Sequence, residues 1–148
     1  IYATFLFGNE WDKPEVFEES LEFALKHEFF FVAFNHLLPF PGTRLHDRFV
    51  SEGRLLEDEW WLKAGYKYGD ILYKPIGWTP QGLSDKCADL RRRFFNVKSI
   101  MKRSITAVKR QPSLFVFFVF LSQNMNLRRE VDEKLRLPIG CGLDELPK

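Results

Sequence analysis

Apolar residues fall along this chain in two runs, each followed by a helical repeat. IYATFLFG, residues 1–8, closes on glycine and reads as a strand buried on both faces. Val16, Phe17, Ser20, Leu21, Ala24 and Leu25 then mark one face of a helix of about 14 residues, with Glu18, Glu19, Glu22 and Lys26 opposite. Asp12 and Glu15 have the spacing of a capping box, and Pro14 stands where a first helical turn tolerates it. EFFFVAFNHLL, 28–38, is the second buried strand. Thr43 caps a short helix that turns Leu45 and Phe49 inward, and Gly53 is placed to end it. Strand, helix, strand, helix is the order of a βαβα unit with a parallel sheet, an α/β fold.

The second half has a different pattern. Residues 57–77 are aromatic-rich and irregular, with a short extended piece expected at Ile71–Tyr73. Thr79-Pro80 opens a helix. Leu83, Cys87, Leu90, Phe94, Val97, Met101, Ile105 and Val108 recur every three or four residues, predicting one long docked helix of about 30 residues. Pro112 breaks it. A nearly all-apolar helix over 113–123, a charged one over 126–136 and a loop-like tail are expected next. No internal repeat is present.

Composition changes this picture in three ways. Sixteen phenylalanines and four tryptophans among 148 residues leave a large aromatic surface to bury in a core or against a partner. Charge is asymmetric under a net of +2: residues 1–60 hold twelve acidic and five basic side chains, and 61–148 hold eight and seventeen. The two halves either face each other or offer a basic surface to phosphates. Cys87 and Cys141 are far apart and show no metal-ligand spacing, so free structural thiols and a reducing, cytoplasmic compartment are expected. LFVFFVFL, 114–121, is the longest apolar stretch and is far short of the ~20 residues a membrane span needs. Ile1 opens almost directly on strand pattern without an initiator methionine, as a cut edge would.

Chemistry in a parallel sheet gathers beyond the carboxyl ends of the strands. Two loops lie there, GNEWD (8–12) and PFPGT (39–43). Gly8 and Gly42 permit close approach of a ligand to the backbone, and Pro39 and Pro41 stiffen the second loop. A turn requiring glycine and proline explains either loop equally well without a ligand. By the two-residue period, Asn35 and His36 point to opposite sides of the strand end, and a lone histidine there is more often structural than catalytic. His27 and His46 read as surface residues. Glu10 and Asp12 could pair as carboxylates, although Asp12 has the capping role. Arg91, Arg92, Arg93, Lys98, Lys102, Arg103, Lys109 and Arg110 lie on or near outer helix faces and could meet phosphates, without any nucleic-acid motif to support it. No metal-ligating set and no catalytic triad or P-loop occurs.

Several phrases in order resemble a known family. FLFGNEWDKPEVFEESLEFALKHEFFFVAFNHLLPFPGTRLHDRFVSEGRL is similar to the later barrel of radical S-adenosylmethionine proteins, in particular those with an N-terminal cobalamin-binding domain and a helical C-terminal extension. WWL…YKYGDILYKPIGWTPQGL and FLSQNMNLRREVDEKLRLPIG resemble that extension, so the likeness runs over about residues 1–140. It implies the C-terminal portion of a partial (β/α)6 TIM-type barrel, with residues 2–7 as the fifth strand and 29–36 as the sixth. Residues 1–56 would be the barrel units, 57–79 a connector, 80–140 the helical extension and 141–148 a tail. The resemblance implies further that Gly8 and Asn9 lie near the ribose and amino-acid part of S-adenosylmethionine, and that Leu38, Pro39, Phe40, Pro41 and Gly42 line its adenine.

Departures from the family pattern qualify that picture. Arg44 and His46 stand where it has Pro and Tyr, and Asn9 where an acidic residue is common. The three-cysteine loop that holds a [4Fe–4S] cluster is absent, and neither Cys87 nor Cys141 replaces it. Cofactors of the full-length family are S-adenosylmethionine, the cluster and cobalamin; none is expected to bind tightly to this chain alone, which is therefore not expected to be catalytically competent. Three readings stand. One is a C-terminal fragment of a radical S-adenosylmethionine enzyme, whose partner is the missing N-terminal barrel half. Another is a stand-alone, non-catalytic α/β interaction module that pairs with itself or a partner. The third is a basic helical binder of nucleic acid or a membrane surface. Two parallel strands cannot close a barrel, so dimerisation, aggregation or folding-back of the helical half over the sheet is expected.

Overall fold

The computed structural model describes residues 1–57, 59–62 and 65–136, without the side chains of 61 and 134–136. The elements in chain order are β1 (Tyr2–Phe7), α1 (Val16–Lys26), β2 (Phe31–His36), α2 (Arg44–Ser51), a 3-10 turn at Trp60–Leu62, α3 (Pro80–Phe94), α4 (Val97–Arg110) and α5 (Leu114–Arg136). β1 and β2 pair in parallel, Tyr2 opposite Phe31 through Phe7 opposite His36, with α1 as the crossover. Among the described residues the fold is thus an α/β arrangement of five helices on a two-stranded parallel sheet. Ile71–Tyr73 does run extended, as Tyr73 bridges antiparallel to Leu55.

One face of the sheet carries the core. Phe5 stacks on Phe34 at 5.3 Å between ring centroids and Phe7 on Phe17 at 4.6 Å, while Phe94 of α3 meets Phe34 edge-on at 6.0 Å. Leu21 and Ala24 of α1 and Leu83, Cys87 and Leu90 of α3 complete that layer. Aromatic pairs of this kind add roughly 0.5–1.5 kcal/mol each beyond the area they bury. The strand burial expected on both faces is not found in β1: Tyr2, Thr4 and Leu6 are exposed. α1 and α3 pack on the other side, and α5 faces Tyr2 across a cavity of about 370 Å³.

Three helix expectations are corrected. Asp12 does not cap α1, whose first residue is Val16 and whose N-cap, Glu15, makes no side-chain cap bond. The long helix is two helices, since Asn96 Oδ1 accepts from the Ser99 N–H at 2.8 Å and starts a new helix at Val97. That break re-phases the apolar stripe. Leu83, Cys87, Leu90 and Phe94 are buried as expected, whereas Val97, Met101 and Ile105 are exposed and α4 buries Ile100, Arg103 and Ser104 instead. Conversely, 113–123 and 126–136 form one helix, α5. Gln123, Asn124 and Met125 contain no breaker, and Asn124 turns inward, donating to Phe120 O at 2.9 Å rather than capping a second helix. Thr43 caps α2 by accepting from the His46 N–H, and Phe49 is buried beneath it, as expected.

Two of the arginines read as outward-facing are internal, while Arg92, Arg93 and Arg110 are exposed as expected. Arg91 and Arg103 are buried. Arg93 forms a bidentate pair with Glu18 at 2.6 and 2.7 Å, and Arg92 binds Asp132 at 3.0 Å. The acidic and basic halves therefore do face each other, here across α1 and α3. The hydrogen bond to Arg93 holds the Glu18 carboxyl below its usual range.

Folding-back of the helical half covers one sheet edge. Phe31 N–H donates to Ile1 O and Leu37 N–H to Phe7 O, so the even-numbered amides of β2 point away from β1. Arg91 Nε donates to one of these outward carbonyls, Phe34 O, at 2.9 Å. Just before the strand, Arg103 donates to Phe29 O and Phe30 O at 3.1 and 3.3 Å. A sheet edge left open is a template for pairing, and guanidinium groups occupy this one.

Burial also pushes the Cys87 thiol up to about 11. A thiol raised in this way contributes stability that is complete below pH 9 and lost as pH rises through 11. Stability should accordingly fall by on the order of 2 kcal/mol across that window. Urea unfolding between pH 8 and 11 should show this decline, with a flatter profile for Cys87→Ala. Cys141 and the tail 141–148 lie outside the described residues.

Candidate functional site at the carboxyl ends of the strands

Loop 8–12 is closed upon itself. Gly8 turns out of β1 at φ 96°, and the Asp12 carboxylate Oδ2 accepts from Gly8 N–H at 2.7 Å and from Asn9 N–H at 3.0 Å. A carboxylate on two successive amides is the contact expected of an anionic ligand there, and the chain's own side chain makes it. Glu10 fastens the loop to the chain around α2, accepting from Arg48 at 2.9 Å and Arg54 at 3.0 Å. Glu10 and Asp12 thus serve as two separate anchors and not as a carboxylate pair.

Loop 39–43 is open by comparison. Gly42 adopts φ 78°, with no atom within 4 Å of where a Cβ would lie. Thr43 Oγ1 donates to Phe40 O at 2.7 Å and sets the loop against the start of α2.

Between the strand ends and the aromatic connector lies a cleft of about 630 Å³. Leu6 and residues 35–38 form its floor, and Phe40, Trp60, Tyr66, Tyr68 and Arg91 its walls. That volume, with an apolar lining and few polar groups, falls in the range of small-molecule sites, roughly 300–1,000 Å³. Of the residues singled out in the sequence, Leu38 and Phe40 line the cleft. Pro39, Pro41 and Gly42 sit in the same loop without lining it, and Gly8 and Asn9 lie outside it.

His36 enters this cleft with a defined tautomer. A carbonyl can only accept, so the 2.8 Å contact between Nδ1 and Leu37 O places the proton on Nδ1. Nε2 then carries a lone pair, and burial keeps the ring below the ordinary histidine range and neutral. The structural reading of this histidine thus holds for one nitrogen. His27 is exposed as expected, but His46 is mostly covered, its side chain 17% exposed.

Sequence reasoning set Arg91 on or near an outer helix face and missed Tyr68. Arg91 Nη2 donates to Asn35 Oδ1 at 3.1 Å, the Tyr68 hydroxyl donates to the same oxygen at 3.2 Å, and the guanidinium lies 5.2 Å from the Tyr68 ring centroid. A signal was present: Arg91 is four residues from Cys87 and so belongs to the apolar face of α3, not to its outer one.

Three comparisons bear on the site. No family model matches the chain, and no solved structure matches it. The bacteriochlorophyllide d C-12(1)-methyltransferase of Chlorobaculum tepidum is 26% identical to it over 133 residues. The match covers 90% of this chain, which spans 27% of that enzyme's length.

Among the described residues no group of three His, Cys, Asp or Glu could hold a metal ion, and no helix is long and apolar enough to cross a membrane.

Proposed function

We propose that this chain is the C-terminal part of a radical S-adenosylmethionine methyltransferase-like protein. In this reading it supplies the last two strands of a partial barrel, part of the wall that holds the nucleotide, and a helical cap. The supporting observation is the coincidence of three things over nearly the same residues. The family phrases occur in order, a parallel strand pair ends in an apolar cleft, and a methyltransferase aligns across 90% of the chain.

The open side of β1 suits this role. Ile1, Tyr2 and Leu6 are 88%, 65% and 53% exposed, and Tyr2 and Leu6 form an apolar face of the kind the remaining wall of a closed barrel covers. In the assembled protein, Leu38 and Phe40 would hold the adenine, and S-adenosylmethionine would supply the methyl group or radical. Gly8 and Asn9 move from direct contact to support, since Asp12 occupies their amides. Cys87 is buried in the core and the described residues present no cluster ligands, so cluster chemistry belongs to another part of such a protein. No residue of this chain is assigned to cobalamin. The basic-helix reading loses Arg91 and Arg103 to the interior and Arg92 and Arg93 to ion pairs within the chain, and rests on the exposed Lys98, Lys102, Lys109 and Arg110.

The coding sequence upstream of Ile1 tests the proposal. An in-frame three-cysteine loop preceded by four further strand-helix repeats is the expected finding. A ribosome-binding site and start codon directly before Ile1 would overturn it in favour of a stand-alone module.

A further inference from the structure

The stretch from Leu90 to Arg129 holds ten arginines and lysines and no aspartate or glutamate. Four of these cations, Arg91, Arg92, Arg93 and Arg103, are used within the fold. Lys98, Lys102, Lys109 and Arg110 of α4 are exposed, Arg110 lying 3.9 Å from the Glu28 carboxylate. α4 packs inward through Ile100, Arg103 and Ser104. Its other side carries two rows. Val97, Met101 and Ile105, four residues apart, form an exposed apolar row. Lys98 and Lys102 stand one residue round from it, and Lys109 follows on the same flank two turns later.

The first two turns of α5 extend the apolar row. Leu114 and Phe115 are 77% exposed and Phe118 63%, a large apolar area to leave in water. An open groove of about 480 Å³, lined by Val108, Pro112, Ser113, Leu114 and Phe117, joins them to the end of α4. Single exposed apolar residues are ordinary, whereas a continuous set rimmed by charge marks an interaction surface. The strands that the methyltransferase reading adds would join β1, and α4 is anchored elsewhere, by Arg103 to the carbonyls of Phe29 and Phe30 before β2. A second copy of the chain would set this acid-free cationic surface against itself. An anionic plane with an apolar interior complements it, and that is a phospholipid leaflet.

We propose that the outer face of the α4–α5 hairpin docks the protein on the surface of a bilayer containing anionic phospholipid. Leu114, Phe115 and Phe118 enter the boundary between headgroups and acyl chains. Lys98, Lys102 and Lys109 extend their stems beside the apolar row and reach the headgroup phosphates. The apolar run 114–121 is too short to span and turns Phe120 into the core, so the hairpin lies along the leaflet and does not cross it.

Sedimentation of the 148-residue chain with vesicles tests this. Phosphatidylcholine vesicles containing about 30% phosphatidylglycerol should retain it at least about tenfold more tightly than phosphatidylcholine alone. Raising salt from roughly 0.05 to 0.5 M should release it. Lys98→Gln, Lys102→Gln and Lys109→Gln together should lose about tenfold in affinity and most of the salt dependence. Phe115→Ser with Phe118→Ser should lose as much affinity and keep the salt dependence. Should that pair fail to fold, the ratio between the two vesicle types and the lysine variant still decide. Equal retention by both vesicle types, or none, overturns the proposal. So does binding of a single-stranded RNA, without vesicle retention, that the serine pair leaves unchanged, which would assign the lysines to nucleic acid. A dimer in light scattering that the serine pair dissolves, again without vesicle retention, would overturn it in favour of a second copy. These outcomes are read on this chain alone and leave the family reading untouched.

Discussion

Arg103→Ala should destabilise the chain by about 4 kcal/mol, close to the whole stability of a marginal domain. Arg103 is 2% exposed and sits where α4, α5, the end of α3 and the entry to β2 converge. Its guanidinium donates to Phe29 O, Phe30 O, Phe94 O, Asn124 Oδ1 and Ser99 Oγ. Removing it leaves three main-chain carbonyls short of a donor in a dry interior and a void beside the Phe94 and Phe120 rings. Burial lowers the guanidinium to about 10, so it remains charged at neutral pH, and the surrounding oxygens are what make that tolerable. Arg103→Met separates volume from hydrogen bonding. It should recover part of the packing loss and still unfold roughly 2 kcal/mol earlier than the native chain in urea. A midpoint for Arg103→Met equal to that of the native chain would show that the carbonyls find other donors.

Gly8→Ala is expected to cost about 3 kcal/mol for a different reason. At φ 96° an L-residue is strained, and the added Cβ would land on the Tyr73 hydroxyl and 2.9 Å from Leu83 Cδ2. Tyr73 is fully buried, its hydroxyl has no partner, and burial raises its titration far above the usual range. Gly8 is therefore the place where the loop after β1 presses directly on the core. Two comparisons isolate the causes. Tyr73→Phe should recover a measurable part of the Gly8→Ala loss by removing the oxygen that the Cβ meets. Gly42→Ala, with similar backbone strain and open space around it, should lose only about 1 kcal/mol. If Gly8→Ala and Gly42→Ala have the same urea midpoint, the close approach to Tyr73 is unimportant.

Much of the first half was legible because its signals are local. Two apolar runs of six residues, an intervening amphipathic face and a threonine cap define β1, α1, β2 and α2 with little reference to the rest of the chain. Loop 39–43 was legible for the same reason, since glycine and proline restrict the backbone on their own. The Asp12 contact was not. A carboxylate three or four residues from an N–H can serve a helix start or a strand end equally well, and only the path of residues 8–15 selects between them.

The second half was less legible because a side chain's surroundings there depend on distant segments. A stripe of Leu83, Cys87, Leu90 and Phe94 is true of α3, but its continuation past Asn96 fails once the chain turns and presents α4 at a new rotation. A run of arginines looks solvated when counted as charge. Two of them are internal here because a sheet edge with unpaired carbonyls needs donors, and α3 and α4 are what lie against it.

By itself the amino-acid order determined the alternation of strand and helix, the parallel pairing and the glycine-bearing loops, since hydrophobic period and backbone restriction act over a few residues. Tertiary structure alone decided which polar groups face one another: Asp12 on the amides of Gly8 and Asn9, Arg103 on the carbonyls before β2, and Arg91 on Phe34 O and Asn35 above an aromatic cleft. Hydrogen bonds and charges between segments tens of residues apart depend on distances and desolvation, and neither exists until the helices have packed on the sheet.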